Sequence, residues 1–512
     1  MSLTRTSLLA SRTTRSLLSR RIPHHGTFKQ LQRRCISLQA LDANQNGRER
    51  VVVVGSGWAG YSLARDLDHS KYQIVVVSPR SYFVFTPLLA STSVGTLEFR
   101  TALEPIRSRR TKVEFFQAWA DRVDFHSKTL TIEEAVEDPW QGRSLVSDRH
   151  ADASPNQRAQ EKQLEVKKGE LFDVKWDKLI IALGCYNQTF GTQGVKENAF
   201  FLKDVGDARR IRNRLLSCFE TAALPTTSEA MRKQLLNFAV VGGGPTGIEF
   251  SAEMHDLIGE DMKRIYPDLV KYAKITVYDV APTVLSMFDE KLSKFAMNHF
   301  KREGIDIKTS HHVEELRKGS PVAVQQESNI SEADDSCYTI KLKEEGEIGI
   351  GMCVWSTGLM VNPFVQKALD GKVKRDEKTG GIMTNERLQV KDSEDKGLVP
   401  NVYALGDCAV LEGTAYPATA QVASQKANWL AKRFNKGDIE RSKFTYKDLG
   451  VMAYVGNSNA ILQSSGTDIS GRVAWFLWRS AYLAKSVSWR NRILIPVYWA
   501  VNWLFGRDVS RF

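Results

Sequence analysis

Two apolar, β-branched segments, each followed by a glycine-rich turn and a helical pattern, organise the hydrophobic positions of this 512-residue chain. The first reads VVVVGSGWAG from Val51, and the second reads FAVVGGGPTG from Phe238. Short apolar runs of this kind predict buried strands of a parallel sheet, and the periodic positions after each turn predict helices. We therefore expect two strand–turn–helix units about one domain apart.

Each turn carries the spacing G-x-G-x-x-G, and its members are Gly55, Gly57, Gly60, Gly242, Gly244 and Gly247. In such a turn the first glycine allows a sharp bend, and the second lets the backbone approach a pyrophosphate. The third lets the helix pack on the strand, and the helix N-terminus faces the anion. Two such turns predict an α/β fold with two Rossmann-like dinucleotide-binding domains, an arrangement typical of proteins that hold a flavin opposite a nicotinamide.

Further apolar runs extend both units. The predicted strands lie at 50–55, 73–78, 178–184, 237–241, 274–280, 352–358 and 401–409. The predicted helices run from Trp58 to Leu67, over 204–219 and from about Pro417 onwards. A hairpin with its turn near Lys168 and Gly169 should lead into the strand that ends at Gly184. The polar segments 137–163 and 317–337 interrupt this pattern, and we interpret both as insertions.

The ends of the second strands distinguish the two units. In a dinucleotide-binding unit this strand usually ends in an acid that hydrogen-bonds the adenosine ribose. The first unit has Ser78, Pro79 and Arg80 there, which disfavours NAD and is compatible with FAD. The second unit has Asp279, whose carboxylate would bind the 2′-hydroxyl of NADH and repel the 2′-phosphate of NADPH. The alternative for Asp279 is a solvated acid at a strand end.

The N-terminal 41 residues differ in composition from the rest of the chain. They contain eight Arg or Lys residues and no Asp or Glu, and they are rich in Ser, Thr and Leu. The formal net charge of the chain is +12, so this segment carries most of the positive excess. Such a composition is typical of a mitochondrial transit peptide, which we predict over residues 1–36. A disordered basic arm that binds nucleic acid is the alternative.

Six cysteines are spread through the chain without a C-x-x-C pair. This spacing disfavours a structural zinc site, an iron–sulfur cluster and a redox-active dithiol, so we predict no metal and free thiols in a reducing compartment. No uncharged apolar run reaches the ~17–25 residues that a bilayer-spanning helix needs. We therefore predict a peripheral protein of the mitochondrial inner membrane, on the matrix side in preference to the intermembrane-space side.

The last 42 residues combine aromatic and cationic side chains. Residues 471–512 hold five of the eleven tryptophans, seven Arg or Lys residues and a single acid, Asp508. The uncharged run from Ile493 to Phe505 is too short to span a membrane, and its apolar residues recur at helical spacing. Trp and Tyr at headgroup level with basic neighbours predict an amphipathic helix in the membrane interface. Packing of this helix on the core or on a second subunit is the alternative.

Several sequence blocks resemble the type II NADH dehydrogenases, which are the alternative NADH:ubiquinone oxidoreductases of mitochondria and bacteria. These blocks are GSGWAG, VVVSPRSYFVFTPLLASTSVGTLEFR, VVGGGPTGIEFSAEMHD, YALGDCA, AQVASQ and the closing WRNR and FGRDVSRF. Many flavoproteins share the glycine patterns, whereas SPRxYFxFTPLL, AQxxxQ and the FGRD terminus are more specific. The resemblance covers most of residues 50–512 outside the two insertions, and it includes the Ser-Pro-Arg in place of an acid.

The resemblance implies non-covalently bound FAD in the first unit and NADH, as substrate, in the second. The implied FAD-binding residues are Gly55, Gly57, Gly60, Ser78, Pro79, Arg80, Thr86, Pro87, Leu88, Gly184, Asp407 and Ala420. The implied NADH-binding residues are Gly242, Gly244, Pro245, Thr246, Gly247, Asp279 and Gly358. Glu249 is expected to contact the nicotinamide side or relay a proton. Gln421 and Gln425, one helical turn apart, match the quinone-site motif.

The resemblance also implies an activity. We expect oxidation of NADH and transfer of two electrons through FAD to ubiquinone, without proton pumping because the sequence shows no spanning helix. The expected partners are ubiquinone, the inner-membrane lipid surface at residues 471–512 and a second copy of the chain, but no nucleic acid. One alternative is a sulfide:quinone oxidoreductase, which would need paired cysteines near the flavin, with only Cys185 and Cys353 as candidates. Another is a redox sensor that binds NADH without useful turnover.

The implied organisation divides the chain into five segments. After the transit peptide at 1–36 come the first part of the FAD-binding domain at 48–205 and the NADH-binding domain at 206–375. The second part of the FAD-binding domain, with the quinone-site helix, occupies 376–445. Residues 446–512 form an amphipathic-helical region for membrane anchoring and dimerisation.

Overall fold

The computed structural model describes residues 37–108, 112–136, 143, 169–328, 336–394, 397–464 and 466–511. The predicted transit peptide lies outside these residues, as does the 137–163 insertion except for Arg143. A separate N-terminal unit contributes the helix Leu38–Ala43, whose first turn is capped by the hydroxyl of Ser37. All other elements belong to the unit that begins at Gln45.

Two sheets carry the two glycine turns. The ten-stranded sheet contains, in spatial order, Ala409–Leu411, Ile382–Thr384, Gln389–Lys391, Leu398–Ala404, Lys178–Ile181, Glu49–Val54, Tyr72–Ser78, Glu114–Asp124, Thr129–Glu134 and Leu171–Lys175. The five-stranded sheet contains Phe200–Phe201, Met352–Trp355, Asn237–Val241, Lys274–Asp279 and Asp306–Thr309, all parallel. The α/β fold with two Rossmann-like units is therefore confirmed.

The apolar runs became central strands because both of their faces are covered. Strand Glu49–Val54 pairs in parallel with Tyr72–Ser78 on one side and with Lys178–Ile181 on the other. Its valines at 51–54 are fully buried, as are the apolar residues of Asn237–Val241 in the second sheet. A strand enclosed on both faces has no polar side, which is why its sequence is a continuous apolar run.

The remaining strands form smaller antiparallel groups. One three-stranded group contains Val313–Lys318, Tyr338–Leu342 and Gly346–Ile350, and another contains Val451–Gly456, Asn459–Ser464 and Thr467–Gly471. Two-stranded groups pair Tyr82–Val84 with Leu103–Pro105 and Cys185–Asn187 with Leu359–Val361. The last pair links the two main sheets. Cys185–Asn187 follows strand Lys178–Ile181 of the ten-stranded sheet, and Leu359–Val361 follows strand Met352–Trp355 of the five-stranded sheet.

The helices complete both units. The α-helices described after Gln45 are Trp58–Asp66, Leu89–Ser93, Val195–Asn198, Val205–Ala223, Glu229–Leu235, Pro245–Leu257, Lys263–Ile265, Glu290–Glu303, Val322–Ser328, Pro363–Lys367, Ala420–Lys436, Arg472–Lys485 and Trp489–Phe505. Shorter 3₁₀ turns lie at Thr86–Leu88, Phe99–Ala102, Val270–Tyr272 and Ile439–Arg441, and a π turn lies at Ile258–Met262.

Two local predictions need correction, and a third falls partly outside the described residues. Segment 317–337 is not an insertion throughout, because Arg317 and Lys318 end a strand that pairs with Tyr338–Leu342 and residues 322–328 form a helix. Strand Leu171–Lys175 pairs with Thr129–Glu134, and the predicted hairpin arm before Gly169 lies outside the described residues. The helix expected from Pro417 begins at Ala420, since the hydroxyl of Thr419 caps it by accepting the Val422 N–H.

The large sheet is assembled from two stretches of sequence that flank the small sheet. Its strands lie between residues 49 and 181 and between 382 and 411, whereas the small sheet uses residues 200 to 355. Strand Phe200–Phe201, which the predicted boundaries assign to the first domain, pairs with Met352–Trp355 in the small sheet. The predicted domain boundaries remain a prediction.

The C-terminal region forms two helices rather than one. Helix Arg472–Lys485 buries Ala474 and Trp478, and helix Trp489–Phe505 contains Pro496 in its interior. The guanidinium of Arg479 joins the two helices, because it lies 4.2 Å from the ring centroid of Trp475 and 4.4 Å from that of Trp499. Within the described chain, no helix combines the length and apolar character needed to cross a bilayer.

The last residues tie this region to the second glycine unit. Gly506 adopts a left-handed conformation with φ of 82°. Arg507 then pairs with Asp261 at 2.6 Å and with Glu260 at 2.7 Å, and its Nε donates to the Thr96 hydroxyl at 3.0 Å. Glu260 and Asp261 belong to the π turn, a geometry that recurs at functional or strained positions.

Arg507→Ala should loosen the C-terminal helices, because it leaves the buried Asp261 carboxylate without its cation. Breaking a buried pair in this way costs about 3–5 kcal/mol. Limited proteolysis should therefore release fragments from residues 472–511 faster than in the unmodified protein. Arg511→Ala is the matched control, since the one hydrogen bond of Arg511 to a described residue goes to the Ser217 hydroxyl at an exposed position. Equal cleavage rates for the two variants would contradict this role of Arg507.

Candidate functional site

The two glycine turns have nearly the same geometry. Gly55 has a φ of 112° and Gly242 a φ of 113°, which side chains other than glycine's rarely tolerate. A Cβ on Gly55 would overlap the carbonyl oxygen of Ala182, and one on Gly242 would lie 3.0 Å from the Ser356 carbonyl carbon. Glycine, which has no Cβ, is therefore required at both positions.

The other glycines of each pattern divide into two kinds. A Cβ on Gly60 would overlap the Gly55 carbonyl oxygen, and one on Gly247 would overlap that of Gly242. These glycines let the helix pack against its own turn. By contrast, a Cβ on Gly57 or Gly244 would meet no described atom within 4 Å. The space beside these two glycines suits a ligand that approaches the helix N-terminus.

A cavity of about 500 Å³ opens beside the first turn. The predicted FAD residues that line it are Gly55, Gly57, Ser78, Pro79, Arg80, Thr86, Gly184, Asp407 and Ala420. Gly60, Pro87 and Leu88 are not among the described residues that line it. Of the predicted NADH residues, Thr246 of the second turn lines the same cavity. The two nucleotide units therefore meet at one cavity.

Ser78 and Arg80 are held by partners from distant parts of the chain. The Ser78 hydroxyl lies 2.8 Å from the Ser56 hydroxyl, and both are buried. Arg80 forms an ion pair with Asp204, which also accepts a 3.1 Å hydrogen bond from the Tyr82 hydroxyl. Burial lowers and the Asp204 carboxylate raises the pKa of Arg80, with a net upward shift. Asp204 caps helix Val205–Ala223, so this ion pair connects the cavity to the second unit.

Asp407 and Cys185 lie together on the cavity wall with a lysine. The Cys185 thiol donates to Asp407 Oδ2 at 3.3 Å, and the Lys203 ammonium lies 2.8 Å from Sγ and 2.9 Å from the Cys185 carbonyl oxygen. Burial raises the pKa of Cys185 to about 12 despite Lys203. Burial also raises the pKa of Cys353 to about 12. Both thiols are therefore neutral at physiological pH and poor nucleophiles.

Thr86 begins the 3₁₀ turn that also contains Pro87 and Leu88. Its hydroxyl accepts a 3.0 Å hydrogen bond from the indole of Trp58. Trp58 is the first residue of the helix after the first glycine turn, so the bond fixes Thr86 relative to the turn. Leu88 is buried in the core beneath this segment.

The second turn is closed by Asp279. One carboxylate oxygen accepts the Gly243 N–H and the other accepts the Ala281 N–H at 2.7 Å. Both oxygens retain a lone pair that a ribose hydroxyl could use. Gly358, with φ of 76°, lies against the ring of Phe190, and Pro245 and Thr246 form the first turn of the following helix. Apart from Gly358, the predicted NADH residues thus belong to this turn or, like Asp279, hydrogen-bond to it.

Glu249 points away from the glycine turn. Its Oε1 accepts hydrogen bonds from the Tyr454 N–H and from the Trp478 indole, both at 3.1 Å. Burial raises the pKa of Glu249 to about 8, and the two donors offset only part of this effect. The position therefore supports proton transfer near the C-terminal region better than contact with a nicotinamide in the turn.

Helix Pro245–Leu257 presents further acids to the same side. Glu253 accepts the Ser91 hydroxyl at 2.6 Å and the Thr96 hydroxyl at 2.7 Å, while Asp256 accepts the Tyr454 hydroxyl. Burial raises the pKa of Glu253, against the opposing charge of Arg507. Of these satisfied buried carboxyls, Glu249 and Asp256 bond the C-terminal region and Glu253 bonds the segment around helix Leu89–Ser93.

Gln421 and Gln425 bind a neighbouring backbone segment. The Gln421 amide accepts the Tyr446 hydroxyl and the Leu449 N–H and donates to the Gly450 carbonyl at 3.3 Å. The Gln425 amide donates to the Lys447 carbonyl at 2.8 Å and accepts its N–H at 3.0 Å. Both amides face one side of helix Ala420–Lys436, as predicted, but they hold residues 446–450 there.

Sequence reasoning missed Lys426. It is buried on the inner face of helix Ala420–Lys436, and the described chain gives its ammonium no hydrogen-bond partner. Burial lowers its pKa, and nearby Cys408 and Asp407 oppose that shift. A signal was present, since Val422, Ala423, Lys426 and Ala427 share the inward-facing helical spacing. Lys426 does not itself line the cavity; it interacts electrostatically with Asp407, which does.

Known proteins are similar to this chain in sequence and in fold. The pyridine nucleotide-disulphide oxidoreductase family matches residues 49–427, and the NDH2 C-terminal domain matches residues 449–508. The chain is 35% identical to the internal alternative NAD(P)H-ubiquinone oxidoreductase A1 of Solanum tuberosum mitochondria, over 93% of this chain and 90% of the relative. It is 34% identical to the external NADH-ubiquinone oxidoreductase 2 of Saccharomyces cerevisiae mitochondria, over 91% and 83% of the two chains.

A solved structure agrees in fold. NDH2 from Plasmodium falciparum in complex with NADH superimposes with a TM-score of 0.74 over 90% of this chain and all of the other, at 23% identity. The matches together define a flavoprotein-type oxidoreductase with two nucleotide-binding units. The chain belongs to the pyridine nucleotide-disulphide oxidoreductases and, within them, to the type II NADH dehydrogenases.

Gly57→Ala and Gly60→Ala should separate ligand binding from folding. Gly57 has an extended backbone that alanine adopts freely, and its Cβ would enter the open space beside the turn. We expect Gly57→Ala to keep its melting temperature in the absence of FAD but to bind FAD about tenfold more weakly or worse, a loss of about 1.4 kcal/mol. Gly60→Ala should instead lower stability by about 1–3 kcal/mol, because its Cβ overlaps the Gly55 carbonyl.

Flavin fluorescence titration and thermal melting of the deflavinated variants measure the two effects. Wild-type FAD affinity in Gly57→Ala would show that no ligand occupies the space beside Gly57. A melting temperature of Gly60→Ala equal to that of the unmodified protein would contradict the packing role of Gly60.

Proposed function

We propose that this protein oxidises NADH and passes two electrons, through non-covalently bound FAD, to ubiquinone at the mitochondrial inner membrane without pumping protons. The observation that carries the proposal is the shared cavity, where Thr246 of the second turn lines the same space as Gly55 and Gly57 of the first. A flavin in the first unit and a nicotinamide in the second would then meet. The named activities of the mitochondrial relatives support this reaction.

The residues present fit FAD. The bare backbone at Gly57 leaves room for a pyrophosphate at the helix N-terminus, Ser78 and Arg80 lie at the end of the second strand, and Asp407 reaches the cavity. When bound, FAD supplies the two-electron chemistry, and the protein supplies position and electrostatics.

For NADH, we assign binding to the second turn with Gly242, Gly244, Pro245, Thr246, Gly247, Asp279 and Gly358. The open space beside Gly244 suits the pyrophosphate. Asp279, held by the Gly243 N–H, places a carboxylate where a 2′-phosphate would sit in NADPH. Its charge therefore favours NADH.

For the quinone, we assign Glu249, Gln421 and Gln425. With its pKa raised to about 8 by burial, Glu249 is mostly protonated at neutral pH, so it can donate a proton and loses this ability as the pH rises above that value. Gln421 and Gln425 are neutral amides that can hydrogen-bond a quinone carbonyl without burying a charge. To do so, the two amides must break their present hydrogen bonds to residues 446–450. We therefore propose that this segment moves when the quinone binds.

Sulfide oxidation is disfavoured. That chemistry needs reactive paired thiols, whereas Cys185 and Cys353 lie in different sheets and burial raises the pKa of each to about 12. Among the described residues no cluster of His, Cys, Asp or Glu could hold a metal ion. We propose that the enzyme works without one.

For the membrane contact, we propose the outer face of the two C-terminal helices. The large apolar side chains exposed there are Val473, Phe476, Leu477, Trp489, Ile493, Val497, Val501, Trp503, Leu504 and Phe505. Phe476 is 66% exposed and Trp503 and Phe505 are each 83% exposed, far more than water favours for a group of this size. Arg472, Arg490 and Arg492 flank them and suit anionic headgroups. We place a homodimer contact on the same helices, and we propose the matrix side of the inner membrane as the location.

Anaerobic absorbance of the flavin tests the proposed reaction. Addition of NADH should bleach the flavin of the purified protein, and subsequent ubiquinone should restore it in the same cuvette. The reason is that both half-reactions pass their electrons through the same flavin. Failure to bleach in protein with full flavin content would overturn the NADH assignment. Bleaching without recovery would identify a redox sensor, and bleaching by sulfide would revive the alternative that the thiols disfavour.

Co-sedimentation with anionic lipid vesicles tests the membrane surface. Replacing both Phe476 and Trp503 with Ser removes two exposed apolar side chains, and we expect binding to fall about tenfold or more. The matched control is Leu171→Ser, which removes an exposed apolar residue from the edge of the ten-stranded sheet. Undiminished sedimentation of the double variant would exclude this surface, and a change from dimer to monomer in its sedimentation velocity would assign the surface to a second copy.

A further inference from the structure

Helix Arg472–Lys485 is apolar on two opposite faces. Its inner face buries Ala474 and Trp478, whereas Val473 and Phe476 on the outer face are 64% and 66% exposed. The inner face is also the source of one of the two hydrogen bonds to the buried Glu249 carboxyl. This helix therefore forms part of the proposed membrane contact and also hydrogen-bonds the proposed proton donor, Glu249.

We propose that Trp478 is a positioning residue for Glu249: its indole N–H holds the carboxyl group in place and stabilises the ionised form, so that seating of the C-terminal helix controls when the carboxyl releases its proton. This proposal rests on the proposed function of Glu249 as proton donor to the quinone. It assigns a role in the reaction to a tryptophan that the sequence placed only in the membrane-anchoring region.

The indole is fixed by packing as well as by its hydrogen bond. Its ring lies 5.4 Å from that of Tyr454 and 4.9 Å from that of Tyr482, the latter nearly perpendicular. The Trp478 side chain is buried, and its Nε1 lies 3.1 Å from Glu249 Oε1. The Tyr454 N–H is the second donor to the same oxygen, and it belongs to strand Val451–Gly456. Two donors from two elements thus meet at one carboxyl oxygen.

Apart from the Trp478 indole and the Tyr454 N–H, the groups around Glu249 favour its neutral form. On its own helix, Glu253 adds negative charge. On the helix of Trp478, burial and the Glu249 charge raise the pKa of Tyr482 well above its usual value, and a hydrogen bond from Trp478 opposes that shift. Arg479 faces Glu253, and the Tyr454 hydroxyl binds Asp256. Trp478 and the Tyr454 N–H are therefore the groups that stabilise the ionised carboxyl.

The direction of the effect follows from this arrangement. A donor to a carboxylate favours the charged form and lowers the pKa, so removing the indole N–H must raise it. Hydrogen bonds to charged groups are strong enough for the shift to be about one pKa unit. If Glu249 donates its proton to the quinone, turnover falls as the pH rises through this pKa. The alkaline limb of the pH profile should therefore move upward when Trp478 is replaced.

The experiment compares W478F, E249Q and the unmodified holoenzyme with a short-chain ubiquinone. The alkaline limb of kcat should disappear in E249Q and move upward by about one pH unit in W478F, while bleaching of the flavin by NADH stays unchanged in W478F. Infrared difference spectra provide a readout independent of turnover. The protonated-carboxyl band that is absent in E249Q should persist to higher pH in W478F by the same amount.

The matched control is W176F. Trp176 is also buried, but its indole nitrogen has no hydrogen-bond partner in the described chain, so the variant loses ring volume without losing a bond. Its pH profile should match that of the unmodified protein. W478H, which keeps a ring N–H, should shift the limb less than W478F and replaces it as the test variant if W478F loses its flavin.

The outcomes are distinguishable. If E249Q keeps the alkaline limb, Glu249 is not the titrating group and its proposed role in the reaction fails. If E249Q loses the limb but W478F titrates like W176F in both turnover and infrared spectra, the positioning role of Trp478 is overturned while the proposed function stands. An equal shift in W478F and W176F would show a general effect of a smaller ring and would also overturn the proposal.

Discussion

The close approach of a helix to its own preceding turn is the constraint on which the rest of this structure depends. In both units the third glycine packs so near the carbonyl oxygen of the first that any side chain would overlap it. This contact aims the helix N-terminus at the space beside Gly57 and Gly244. It also fixes the direction in which helix Pro245–Leu257 leaves the turn, and with it the side on which that helix displays its acids.

Those acids determine how the C-terminal region is attached. Glu249, Glu253 and Asp256 lie on successive turns of one helix face and are buried against strand Val451–Gly456, helix Leu89–Ser93 and helix Arg472–Lys485. Buried carboxyls are tolerated only where donors satisfy them. The attachment is therefore specific in register, because a shift of the C-terminal helix by one residue would leave Glu249 without the Trp478 N–H. A region that the sequence describes as amphipathic is thus fixed to the core by polar groups.

Local sequence was sufficient for the elements whose signal is local. Strand Asn237–Val241 lies where its apolar run predicts, and the glycine turns have the geometry that their spacing requires. Tertiary partners were not accessible in this way. Asp204 is 124 positions from Arg80, so no local pattern predicts their ion pair. Likewise, the sequence of residues 446–450 has no feature that predicts their hydrogen bonds to Gln421 and Gln425. Helix Ala420–Lys436 begins after Pro417 because the hydroxyl of Thr419 caps it. Lys426 shares the inward-facing spacing of Val422 and Ala423, but spacing alone does not say which groups surround it.

The short ladder between Cys185–Asn187 and Leu359–Val361 has a consequence for how the coenzyme comes and goes. It pairs three positions across the two nucleotide units, and it is reinforced by the bond from the Trp355 indole to the Gln188 carbonyl at 3.0 Å and by the Arg80–Asp204 ion pair. A wide hinge opening would have to break all of these bonds at once. Coenzyme exchange by such an opening would therefore cost the ladder, the indole hydrogen bond and the ion pair together.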